Sequence, residues 1–387
     1  MAKDKTIKPA VTKGNLLQKL LDASGCKYAS IAANGILSDI SGYLDTGCYM
    51  FNAVLSGSLY GGIPNNRVTV VAGKSQVGKS YFIKTFIRSF LRDNPTGIVF
   101  LFDSEFAYTK EDLEAMGIDT TRIIVIPVPT IEEFNRVSLN LINAYEESSD
   151  PTPIMMALDS VGQLASNKEV ADTAEGNDKR DMTKQAKLKG AFRTLLLKLG
   201  HNKIPLIIAA HTYNQIGAYV PTEVVAGGEG LIYAATSIIL MRASKDKDAE
   251  NNPIGVKITC NVEKSRLTKK WAKAVVLLNF KTGILPYSGL LEFGEESGII
   301  ERVGNRYKFP NGELAFEKAI QTSPETYFTK DVLDLLDEQA KKTFPLGKGD
   351  DKVTVDELLA GIDSGVVDGG IKIESDADTH PEENADV

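Results

Sequence analysis

The sequence predicts an α/β fold: a mostly parallel, twisted sheet flanked by helices, with an antiparallel edge and small N- and C-terminal appendages. Three observations predict it. From Met50 to about Leu291, short apolar runs rich in β-branched residues alternate with segments of helical spacing. The runs are near-continuously apolar, as strands covered on both faces are. One of them leads straight into Gly73-Lys74-Ser75-Gln76-Val77-Gly78-Lys79-Ser80, a full G-x-x-x-x-G-K-[ST] phosphate-binding loop.

Residues 1–49 are mixed, with a helix candidate at Asn15–Ala23 and no clear periodicity from Ser30 to Leu44. Arg67–Ala72 reads as the first buried strand. Lys79–Asp93 follows the loop as a helix, with Phe82, Ile83, Phe86, Ile87, Phe90 and Leu91 on one side. Further strands are expected at Ile98–Phe102, Arg122–Ile126, Ile154–Leu158, Pro205–Ala210, Ser237–Met241, Lys257–Val262 and Ala274–Phe280. Helices are expected at Thr109–Met116, Ile131–Tyr145 and Met182–Leu199. The last strands have short links and should be antiparallel. Residues 50–299 thus form the core, 300–348 a small appended unit, and 349–387 an acidic, Gly- and Asp-rich tail expected to be largely disordered.

The chain has 387 residues and ordinary globular composition, 43% hydrophobic and 25% charged. No apolar run approaches the roughly 18 residues of a membrane span. Met1-Ala2-Lys3-Asp4-Lys5 leads into no apolar stretch, so no secretory signal is expected. Cys26, Cys48 and Cys260 are scattered and odd in number, which fits packing residues in a reducing compartment. The net charge of −7 is concentrated in the tail, where residues 349–387 carry twelve acids and two lysines; the body keeps 42 basic against 39 acidic residues. A mildly basic body with an acidic tail suits nucleic-acid binding, and it also suits a merely solubilising tail.

The candidate chemistry lies at strand ends, where open α/β sheets bind ligands. Backbone N–H groups of residues 73–80 would cradle phosphate, with Lys79 on the β- and γ-phosphates and Ser80 on Mg²⁺. Asp159 ends an apolar strand as a second Mg²⁺ residue would. Glu105, in Phe102-Asp103-Ser104-Glu105-Phe106, is the first candidate to orient an attacking water, and Asp103 the second. His211 could sense the γ-phosphate. Lys264 and Arg266 could reach a neighbouring subunit's γ-phosphate in the manner of an arginine finger. Two long polar loops, 165–183 and 212–230, suit contact with single-stranded nucleic acid. Their candidate contacts are Lys168, Lys179 and Arg180 in the first, and Tyr213, Asn214, Gln215, Gly227 and Gly228 in the second.

Taken together, GKSQVGKS at 73–80, FLFDSEF at 100–106, ALDSVGQLASNKE at 157–169, AHTY at 210–213, GGEG at 227–230, NVEKSR at 261–266 and PYSGLL at 286–291 resemble the RecA/RadA recombinases, and among them the UvsX type of phage. The resemblance covers roughly residues 45–300. It implies a RecA-like core and an ATPase, dependent on ATP and Mg²⁺, that forms a helical filament on single-stranded DNA and pairs it with homologous duplex. It further implies that Glu105 activates water, that Asp159 is the Walker B aspartate, that His211 couples nucleotide state to DNA affinity, and that residues 165–183 and 212–230 are the two DNA-binding loops. Lys264 and Arg266 would contact ATP across the filament interface, and a segment before residue 50 would dock on the neighbour. Single-strand-binding and mediator proteins are the implied accessory partners, in a bacterial cytoplasm and away from membranes. The rival readings are a hexameric helicase motor on the same core and a regulatory P-loop ATPase indifferent to DNA.

Overall fold

A computed structural model of the chain describes residues 13–26, 28–36, 38–177, 181–214, 223–248 and 250–347. The chain divides into units 1–348 and 349–387; the acidic tail lies outside the described residues. Helix α1 (Lys13–Ala23) leads the first unit. Strands β1 (Tyr43–Leu44) and β2 (Ile63–Pro64) then pair around helix α2 (Tyr49–Ser56).

The central strands follow in order: β3 (Val68–Gly73), helix α3 (Lys79–Asp93), β4 (Ile98–Asp103), α4 (Lys110–Ala115), β5 (Ile123–Pro127), α5 (Ile131–Ser148) and β6 (Ile154–Asp159). Next come α6 (Asn167–Ala174), α7 (Lys184–His201), β7 (Leu206–Asn214), β8 (Glu223–Val225), α8 (Gly228–Ala234), β9 (Ser237–Lys247), β10 (Pro253–Ser265), β11 (Lys273–Asn279) and β12 (Gly283–Ile284). The strands stand in the order β12-β11-β10-β9-β3-β7-β6-β4-β5, with β8 beside β7. Strands β9, β3, β7, β6, β4 and β5 are parallel, and β10, β11 and β12 extend the sheet antiparallel from β9. The phosphate-loop strand β3 therefore sits between β7 and β9, deep in the sheet.

Two apolar layers cover the faces. Alternate residues of β3 divide between them, Val71 packing with Phe82, Ile83 and Phe86 of α3, and Val70 and Ala72 packing with Phe134 of α5 and Leu188 and Phe192 of α7. Each such side chain contributes about 1.5–3 kcal/mol on burial. Side-chain caps start several helices: Thr109 accepts from the Asp112 N–H and Thr130 from the Glu133 N–H. After α9 (Leu290–Glu296) the chain forms a three-stranded sheet, β13 (Glu301–Val303), β14 (Arg306–Lys308) and β15 (Leu314–Phe316), then α10 (Glu317–Thr322), α11 (Pro324–Tyr327) and α12 (Lys330–Thr343). Tyr307, Phe309, Phe328 and Leu336 from this region join the same apolar layer as Phe51 and Phe82. Asp337, buried on α12, accepts from the Ser58 hydroxyl at 2.6 Å and the Leu59 N–H at 2.7 Å.

Three expectations need correction. The first polar segment, 165–183, is not a structureless loop: it holds helix α6, begun by a capping box in which Ser166 accepts from the Glu169 N–H and Glu169 from the Ser166 N–H. The second, 212–230, begins as strand β7 and ends in β8 and α8, with 215–222 outside the described residues. Of the cysteines, Cys48 and Cys260 are buried packing residues, but Cys26 is exposed.

Candidate active site

The parallel register sets the site. Asp103 and Asp159 end adjacent strands opposite one another, and Gly73 pairs with His211 and Met241. All of these stand at one edge of the sheet, around the start of α3. The loop itself needs its glycines. Gly78 sits at φ +95 as the N-cap of α3, and a Cβ on Gly73 would lie 2.7 Å from the Met241 carbonyl oxygen. Gln76 also takes a positive φ of 63, while Val77 is buried as the loop's anchor. Lys74 and Ser75 are exposed on its rim, and Ser80 lies in the first turn of α3.

Lys79 is buried and its ammonium donates to the carbonyls of Gly73 at 3.1 Å and Lys74 at 2.9 Å. Its Nζ also lies 3.4 Å from His211 Nδ1. An ammonium has only donors, so Nδ1 must accept. The ring proton then sits on Nε2, which donates to Glu105 Oε1 at 2.7 Å. A continuous chain thus runs Lys79–His211–Glu105. Burial lowers the Lys79 ammonium below its usual range, against the pull of Asp159 and Glu105. Burial pushes the Glu105 carboxyl up, but hydrogen bonds from Ser160 and His211, with the charge of Lys79, outweigh it and hold Glu105 below the ordinary range.

Asp159 behaves oppositely. Burial raises its carboxyl, only partly offset by Ser80 and Tyr108. The Tyr108 hydroxyl donates to Oδ2 at 2.8 Å, and Oδ1 is buried with no partner. A buried carboxylate oxygen without a donor, beside the Ser80 hydroxyl, is a hard-oxygen pair that fits a magnesium ion. Asp103, the second candidate for water activation, is instead committed to structure: Oδ1 accepts from the N–H groups of Glu105 at 3.0 Å and Ala107 at 3.3 Å. It fixes the turn that aims Glu105.

Sequence reasoning missed Tyr108, Ser104 and Ser160. The Ser104 hydroxyl donates to the Ser160 carbonyl and accepts from its N–H, both at 2.8 Å, and the Ser160 hydroxyl donates to Glu105. A signal existed: the same Asp-Ser dipeptide ends both strands.

Lys264 and Arg266 lie elsewhere. Ser265, at the end of β10, pairs with Ser237, the first residue of β9, whereas the phosphate loop adjoins Met241. These cations therefore stand at the opposite edge of the sheet, on the order of 15 Å away at about 3.3 Å per residue. The Lys264 ammonium donates to the carbonyls of Ile232 and Ala235, and Arg266 to that of Tyr233 at 2.9 Å, all at the end of α8. They cannot reach their own phosphate loop.

Of the DNA candidates, Lys168 is exposed on α6, and Tyr213 and Asn214 are exposed at the end of β7, three residues beyond His211 at most. Lys179, Arg180 and Gln215 lie outside the described residues. Asp181 is buried and accepts from the hydroxyls of Ser166 and Thr183, each at 2.6 Å, which hold its carboxyl well below the usual range. Gly227 and Gly228 sit at φ +107 and +66, and a Cβ on Gly228 would collide with the Gln185 side chain of α7. Their positive φ values, which start α8, are what call for glycine.

Comparison with known proteins agrees with this geometry. The RecA N-terminal domain family matches residues 38–285. The recombination and repair protein of Enterobacteria phage T4 is 32% identical over 292 residues, 75% of this chain and 73% of that protein. Protein RecA of Streptomyces rimosus is 25% identical over 73% of this chain and 72% of its own length. Protein RecA of Thermus aquaticus is 24% identical over 66% of this chain and 72% of its own.

Proposed function

The chain belongs to the RecA family, as a recombinase of the UvsX type, and from that premise we propose how its own residues carry out the family's work. It is a DNA-dependent ATPase of homologous recombination and strand exchange. It binds nucleotide and DNA and assembles into filaments.

Residues 73–80 hold the triphosphate through their backbone N–H groups. Ser80 and Asp159 would hold Mg²⁺, whose charge neutralises the β- and γ-phosphate oxygens when bound. Glu105, kept ionised, orients the attacking water and accepts its proton. Lys79 can leave the Gly73 and Lys74 carbonyls for the γ-phosphate. Doing so withdraws the donor from His211 Nδ1, and His211 stands on the strand that continues into Thr212, Tyr213 and Asn214. The Lys79–His211–Glu105 chain is the single observation that carries this reading: it links the phosphate to the strand bearing a candidate DNA segment. Lys168, Tyr213 and Asn214, together with Lys179, Arg180, Gln215, Gly227 and Gly228, would line single-stranded DNA, tracking phosphates and stacking bases without sequence readout.

Lys264 and Arg266 act in trans. A head-to-tail contact that places one subunit's β10 edge on the next subunit's phosphate loop is heterologous, and such contacts propagate as helices. Residues 1–49 supply further docking: Leu16, Leu17 and Leu20 of α1 are exposed, as are Ile124 and Val125 of the edge strand β5, an unsatisfied pair of apolar surfaces. Residues 50–299 are the motor, 300–348 a smaller appended unit, and the acidic tail 349–387 a competitor for basic surface. Single-strand-binding and mediator proteins would assist loading in a bacterial cytoplasm. Among the described residues no helix is long and apolar enough to cross a membrane.

The test is the ATPase rate with and without single-stranded DNA, using Lys79→Ala as the blank. Strong stimulation lost in Lys79→Ala, and lost coupling but retained basal turnover in His211→Ala, is the expected result. Unchanged coupling in His211→Ala would sink the relay.

A further inference from the structure

Among the described residues, two aromatic side chains sit at positive φ, and both are exposed. Phe106 is at φ 53 and 83% exposed; Trp271 is at φ 68 and 66% exposed. A bulky residue in the left-handed region is strained, and such strain persists only where the surroundings impose it. They do so here. Asp103 Oδ1 grips the N–H groups of Glu105 and Ala107, on either side of Phe106, and so turns the ring outward. The Trp271 N–H donates to the Val262 carbonyl at 2.7 Å, and the same turn is pinned by the Lys269 N–H to Phe344 at 2.8 Å and the Thr268 hydroxyl to Val54 at 2.7 Å.

Their places match the two halves of the divided site. Phe106 is next in sequence to Glu105 at the phosphate-loop edge. Trp271 lies in the turn after Lys264 and Arg266 at the opposite edge. Charge complements this. Close to Trp271 in sequence are the exposed cations Arg266, Lys269, Lys270 and Lys273; Lys270 Nζ lies 4.9 Å from the indole centroid and also pairs with Glu263 at 3.1 Å. Close to Phe106 in sequence, α4 exposes three acids, Glu111, Asp112 and Glu114, against one lysine, Lys110, which pairs with Glu114 at 3.6 Å, while Asp112 lies 4.0 Å from Lys84.

We propose that Phe106 of one subunit packs against Trp271 of a second copy of this chain, and that this aromatic contact seats Lys264 and Arg266 at the neighbour's γ-phosphate. The inference rests on the head-to-tail filament proposed above. Both residues are positioning residues: they act through Glu105 on one side and the two cations on the other.

Trp271 is the chain's single tryptophan, so indole fluorescence reports the surroundings of this one side chain. Full-length protein would be assembled on single-stranded DNA with Mg²⁺ and a non-hydrolysable ATP analogue, with sedimentation recording assembly and acrylamide quenching recording the indole. In the wild type, quenching should fall several-fold on assembly. In Phe106→Ala it should stay high, with ATPase reduced up to about tenfold, the worth of one aromatic pair; Phe106→Leu should recover part of both. A mixed filament guards against misfolding: a few Phe106→Ala subunits in excess Trp271→Phe carry the only indole, which meets an intact Phe106 and should be protected. An indole that stays accessible in sedimenting wild-type filaments, or in that mixture, overturns the aromatic contact while leaving the filament standing. An indole still protected in filaments of Phe106→Ala alone overturns it as well. Absence of any sedimenting filament overturns the head-to-tail reading itself.

Discussion

The two edges of the central sheet are built to opposite rules. At the phosphate-loop edge, Lys79, His211 and Glu105 are buried or half-buried and tied to one another, and the buried Asp159 is bonded to Tyr108. At the far edge, Lys264 and Arg266 are bonded to carbonyls of their own chain, and the cations that follow them ring an exposed tryptophan. The first edge holds anions and an orphaned carboxylate oxygen; the second holds cations with no phosphate in reach. Neither is a complete site for phosphoryl transfer, which needs charge stabilisation around the γ-phosphate as well as a positioned water. On this difference rests the proposal that the machine is divided between subunits, which would make assembly a condition of catalysis.

Breaking the first edge should have the largest effect. Glu105→Gln keeps the shape and removes the proton acceptor, so DNA-stimulated ATPase should fall by ~10²–10⁴-fold with nucleotide binding retained; steady-state turnover beside a nucleotide-binding titration checks both. Breaking the second edge is next. Lys264→Ala should lower turnover by roughly 10²-fold or more, within reach of an arginine-finger loss. The comparison sharpens when Lys264→Ala is mixed with Lys79→Ala: each supplies the half that the other lacks, so the mixture should exceed both alone. Equal inactivity would mean that the halves work within one subunit.

A third prediction separates stability from activity. Asp159 is almost fully buried with one oxygen unpartnered and its carboxyl raised. A carboxyl raised in the folded state binds its proton more readily there, so it favours folding at low pH and loses that contribution as pH rises through its folded value. Without metal at neutral pH, Asp159→Asn should therefore gain on the order of 1 kcal/mol in denaturant melts, while losing Mg²⁺-dependent turnover. Destabilisation by the same substitution would contradict the strain assigned to this carboxylate. The smallest effect is at the surface: Lys168→Ala should weaken single-strand binding alike for all sequences and reduce the salt slope by about 0.7.

Much of the phosphate-loop edge was legible in the sequence. Residues 73–80 carry their chemistry locally, since the glycines, Lys79 and Ser80 must be contiguous to wrap one phosphate chain. Strand ends at Asp103 and Asp159 were legible because buried strands are apolar and a terminal Asp stands out. What escaped was pairwise. That Asp103 would be spent on the turn and Glu105 left to act depends on two backbone N–H groups folding back. That Tyr108 would bond Asp159 depends on a chain reversal 51 residues away. Helix α6 escaped for another reason: its polar composition reads as loop, although the Ser166–Glu169 capping box was there to be seen.

The far edge shows where sequence stops. NVEKSR resembles a cross-subunit motif, yet nothing in six residues says which way its strand runs. By itself the sequence determined the main core strands, helices α3, α4, α5 and α7 and the phosphate loop, because hydrophobic period, caps and glycine freedom act over a few residues. The short links already implied that β10 runs against β9; only the tertiary structure decided that β9 lies beside β3, in the register that carries Lys264 and Arg266 away from their own phosphate loop. Strand neighbours and register are fixed by hydrogen bonds between segments far apart in sequence, and that non-local choice sets the phosphate loop and the two cations at opposite edges.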